Sequence, residues 1–85
     1  MGAAVRGVVR YYNRRRQRVA VSTDHGFSVF VVVAGPWPRA GWTVEGELLQ
    51  LGHSTLQVGD DDGSTMEVHV EASGLSADEA MLLTR

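Results

Sequence analysis

Three sets of side chains in this sequence carry groups that could do chemistry. Ser22, Asp24 and His25 hold the elements of a hydrolytic triad within four residues. Their closeness works against them. Across a tight turn an acid and an imidazole seldom aim at one hydroxyl, and no nucleophile elbow or glycine-rich phosphate loop accompanies them. His25, His53 and His69, with ten acids in the chain, invite a metal. Their spacings fit no ligand pattern, and Asp60-Asp61-Asp62-Gly63 lacks the alternating ligands and closing glutamate of a calcium loop. His69 alternates with Glu67 and Glu71, as on a solvated strand face. Cysteine is absent, which removes disulfides, thiolate zinc sites, iron–sulfur clusters and thiol catalysis. A chain of 85 residues also rarely encloses a water-excluding pocket. The expectation is no catalytic residue, no cofactor and no metal.

The third set is arginine interleaved with tyrosine. Arg6, Arg10, Arg14, Arg15, Arg16 and Arg18 give the first 18 residues a charge of +6 with no acid. The remainder carries −8, for a net charge of −2. Segregation of this kind points to a polyanion, and the forked guanidinium suits phosphate. Tyr11 and Tyr12 lie inside the basic run. Strict strand alternation turns only one of them inward, so the other is exposed or a bulge intervenes. Arg10, Arg14, Arg16 and Arg18 with Tyr11 and Tyr12 thus form a candidate site for single-stranded RNA or DNA, with cations on phosphates and rings on bases. Trp37, between Pro36 and Pro38, is a stacking platform, a knob for a protein partner or a plug at a barrel end.

Strands must position these groups. Residues 4–12 and 17–23 are rich in β-branched and aromatic side chains, and Val19 and Val21 alternate with Arg18, Ala20 and Ser22. Phe27 to Ala34 is the most apolar stretch and reads as a central strand covered on both faces. Polar turns at 13–16 and at Asp24-His25-Gly26 join these three into an antiparallel meander. Gly35 to Gly41, with two prolines, breaks the pattern as an extended crossing loop. Val44 to Leu51 resumes as a strand, with Trp42 in the core just before it. Gly52-His53-Ser54 turns, Thr55 to Val58 pairs back, and Asp62-Gly63 supplies a primed hairpin turn. Residues 65–72 alternate cleanly, with Met66, Val68 and Val70 on one face. Ser76-Ala77-Asp78-Glu79 is a capping box, Leu75 staples to Ala80, and a helix over 77–84 uses Ala80, Met81 and Leu82 or Leu83 to cover a barrel end.

A resemblance emerges from the first three strands. Gly7-Val8-Val9-Arg10-Tyr11-Tyr12-Asn13 resembles the Gly-Ile-Val-Lys-Trp-Phe-Asn opening of bacterial cold-shock domains, and Val29-Phe30-Val31-Val32 resembles their Val-Phe-Val-His motif. The likeness spans residues 7–32. At the family's Lys-Gly-Phe-Gly-Phe-Ile motif this chain has Arg16-Gln17-Arg18-Val19-Ala20-Val21, so Arg18 and Ala20 replace both phenylalanines. The resemblance implies an oligonucleotide-binding barrel and adds Phe30 to Tyr11 and Tyr12 as stacking positions.

The sequence therefore predicts one domain over 1–85, mainly β. It is expected as a small antiparallel barrel of five or six strands, of the oligonucleotide-binding type, with a short C-terminal helix. The expected role is weak, largely sequence-independent binding of single-stranded nucleic acid, or a protein-interaction module on a barrel that has lost it. No apolar run approaches the roughly 18 residues that span a bilayer. No signal pattern opens the chain, and Arg6 spoils a Met-Gly myristoylation motif. A cytoplasmic location is expected.

Overall fold

Alternation of inward apolar and outward polar side chains builds each strand in the computed structural model, which describes residues 4–59 and 64–85. The chain runs β1 (Val5–Asn13), β2 (Arg18–Thr23), β3 (Gly26–Ala34), β4 (Thr43–Gly46), β5 (Gly52–Val58), β6 (Thr65–Leu75) and α1 (Ala77–Thr84). The strands close into a barrel in the order β1-β2-β3-β6-β5-β4, every neighbour antiparallel. Two three-stranded meanders, β1–β3 and β4–β6, are thus joined outer strand to outer strand. The sixth strand makes this a closed form rather than the five-stranded, partly open barrel. The expected Asp62-Gly63 turn lies outside the described residues.

The barrel interior holds Val9, Val19, Val21, Phe30, Val44, Leu48, Leu56, Met66, Val68 and Val70, all buried. Trp37 and Trp42 pack on this core from the rim, half-buried. Gly35 starts the crossing loop at φ +110°, where a Cβ would sit 2.8 Å from the Met66 Cα, so only glycine fits.

Two boundaries differ from expectation. The strand expected over Val44 to Leu51 ends at Gly46, and the expected turn at Gly52-His53-Ser54 is the start of β5. Close packing drives this. A Cβ on Gly46 would lie 2.6 Å from Leu56 Cδ2, and just beyond it Leu48 dives into the core from a loop. The buried Ser28 Oγ donates to the Leu48 carbonyl at 2.8 Å, and Ser73 Oγ donates to that of Leu49 at 3.0 Å. The apolar spacing that mimics a strand is a leucine plug.

The helix also sits elsewhere than expected. It lies against the outer face of the β1–β2–β3 meander, where Ala80 packs on Ala20 and Val29, with Tyr11, Phe27 and Leu75 around them. Small residues on both surfaces let the helix approach closely. The cap is as expected: Ser76 Oγ accepts from the Glu79 amide at 3.2 Å, and the Glu79 carboxylate accepts from the Ser76 amide at 3.0 Å.

Candidate functional site

β1 and β2 slip register between Val9 and Tyr11, and this bulge at Arg10 reorients the two tyrosines. Val9 opposes the inward Val21, then Tyr11 opposes the outward Ala20 and Tyr12 the inward Val19. Tyr11 therefore joins the outer face under α1, its ring stacked on Phe27 at 6.0 Å and 14°. Tyr12 reaches the barrel rim, 48% exposed, with its ring edge-on to Trp37 at 5.9 Å. Trp37 packs half-buried against the core at this rim, and its indole N–H is buried without a partner among the described residues.

Phe30 requires a correction. It opposes Val19, faces the barrel interior and is 0% exposed, so its ring offers nothing to a base. The outward positions of β3 are instead Phe27, Val29, Val31 and Val33, and the first two lie under α1. Of the three expected stacking positions, Tyr11 lies under the helix, Tyr12 stands at the rim and Phe30 is in the core.

The arginines do not converge. Arg18 Nε pairs with Glu71 Oε1 at 3.0 Å, and its Nη1 donates to the Leu83 carbonyl at 3.3 Å, so this side chain clamps the end of α1 onto the sheet. Arg10 Nε donates to Ser22 Oγ at 3.1 Å, farther down β1. Arg14 and Arg16, with Arg15, form the exposed β1–β2 turn. Asn13 Oδ1 accepts from the Arg16 amide at 3.2 Å there, and Gln17 closes the turn at φ 59°. Arg14, Arg16 and Arg18 stand at the same end of the barrel as Tyr12, but Arg18 is held by Glu71 and Leu83, which leaves Arg14 and Arg16 beside Tyr12.

On the opposite flank, His53 and His69 face each other across β5 and β6, and His53 Nε2 lies 3.3 Å from Glu67 Oε1. Among the described residues no three or more such groups gather around a metal position. None of the described helices is long and apolar enough to cross a membrane.

The feature that sequence reasoning missed is the outward side of α1. Met81, Leu82 and Leu83 are 43%, 63% and 39% exposed, while Ala80 and Thr84 are buried. The signal was present in the spacing. At 100° per residue, three consecutive large apolar side chains span 200° and cannot all turn toward the sheet, and the buried pair at i and i+4 is small. Comparison of the chain with protein-family models, curated proteins and solved structures finds no match.

Proposed function

We propose that this domain is a non-catalytic protein-interaction module that docks through the outer ridge of α1. The observation that carries this reading is the exposure of Met81, Leu82 and Leu83 on one turn. Single exposed apolar residues are ordinary, whereas contiguous ones mark a contact surface. Leu82 points straight away from the sheet, since it lies about 200° around the helix from the buried Ala80, and Met81 and Leu83 flank it. Asp78 and Glu79 add charge to the first turn. The matching partner is an apolar groove with a basic rim, the helix-in-groove mode.

The test places a photo-crosslinking amino acid at Leu82 in the cell and identifies the adducts. The expected result is a discrete protein adduct that Met81→Asp abolishes while the circular dichroism spectrum is retained. Adducts no stronger than those from an exposed control at Thr55 would sink the reading.

Nucleic-acid binding is the second reading, favoured by the Arg14–Arg16 turn beside the half-exposed Tyr12. It is reduced to phosphate contact and one ring. Three arginine contacts imply a slope of log affinity against log salt of about −2, from roughly −0.7 per contact.

A further inference from the structure

On the outer face of β1 and β2, Arg6, Val8, Arg10, Ser22, Thr23 and Asp24 line an open depression of about 340 Å³. We infer that this depression binds a phosphate group, carried either by inorganic phosphate or by a phosphodiester. It stands apart from the α1 ridge, and its success or failure leaves that reading untouched. It is also separate from the Arg14–Arg16 turn, which lies beyond the far end of β1.

Three features of the lining fit an anion, and a fourth holds its wall. Neither Arg6 nor Arg10 is ion-paired among the described residues, unlike Arg18, although Glu45 stands opposite Arg6 in the β1–β4 register. The bulge brings Arg10 across to Ser22, whose oxygen accepts from Nε and so leaves the two terminal nitrogens of the fork to donate outward. Ser22 keeps its own hydroxyl proton for a second donation. Thr23 holds the wall: its hydroxyl donates to the Gly26 carbonyl at 2.7 Å and accepts from the His25 amide at 3.0 Å. Forked donors beside a hydroxyl are the donor set for a phosphate oxygen.

Asp24 works in the other direction. It is the one acid among the described lining residues, whose charges sum to +1. It weakens a bare dianion and favours a phosphate that brings a hydrogen-bond donor beside it. Its charge therefore gives the site a second, opposite handle.

The experiment is an amide chemical-shift titration of the full chain at fixed ionic strength, once with inorganic phosphate and once with a short oligothymidine. Saturable shifts are expected at Arg10, Ser22, Thr23 and Asp24. Arg10→Gln is expected to weaken binding about fivefold, the Coulomb term of one exposed charge at contact distance, and Asp24→Asn to strengthen it by a similar factor. Arg15→Gln is expected to leave the response of these amides unchanged. A response to oligothymidine alone at the same amides supports the site with the phosphodiester as its source. Shifts that fail to saturate with either probe, that persist unchanged in Arg10→Gln, or that centre on Arg14–Arg16 overturn the inference.

Discussion

Phe30 shows how far a single residue's role depends on register. In the sequence its motif resembles one that stacks bases, and its neighbours Val29 and Val31 are equally apolar, so nothing local says which way it points. The pairing with β2 decides it: Phe30 opposes Val19, and both face inward. A slip by one residue would exchange the faces entirely. Phe30→Ala is accordingly expected to cost about 3–5 kcal/mol in denaturant unfolding, the range for a large buried aromatic. A surface platform would change stability by only about 0.5 kcal/mol. A shift of the unfolding midpoint within that smaller range would put Phe30 back on the surface. Tyr11 and Tyr12 were legible as a pair of which one must turn out, yet the bulge sends Tyr11 under a helix and Tyr12 to the rim.

Among the elements, the helix was the most legible and the least correctly placed. Its cap is written in four consecutive residues and forms as local chemistry requires. Its docking depends instead on Ala80 meeting the cross-strand pair Ala20 and Val29, which lies far earlier in the sequence and which no periodicity announces as its partner. The strand ends around Leu48 were illegible for a related reason, since a loop that plugs a barrel has the same apolar spacing as a strand. The cap also makes the helix sensitive to acid. Hydrogen bonds from the Ser76 backbone amide first, and the Ser76 hydroxyl second, hold the Glu79 carboxyl below its ordinary value of 4.5. A group with a lowered folded pKa contributes stability above its unfolded value and loses it as pH falls through the folded one. The α1 amide shifts are expected to move toward coil as pH drops below 4.5. Glu79→Gln should remove that component of the titration, and an identical acid profile in the two proteins would refute it.

At the scale of the molecule, a barrel of five or six alternating strands was readable, because short apolar-alternating segments with turn residues between them leave a barrel as the sound closure. Which strands close it was not, since the β1–β4 and β3–β6 seams join segments with no local signal. Those two seams carry a further consequence. Each meander is complete in its own hairpin pairings, and the loop from Gly35 to Trp42 is the covalent link between the halves. α1 is chained to the second half yet rests mainly on the first. Two chains that trade halves would therefore recover every ladder and the helix contact, with only the loop conformation changed. Pro36 and Pro38 stiffen that loop and favour an extended path through it. Refolding at high protein concentration is expected to yield an intertwined dimer with the monomer's amide spectrum outside residues 35–42, and a dimer whose shifts change across the strands would exclude such an exchange.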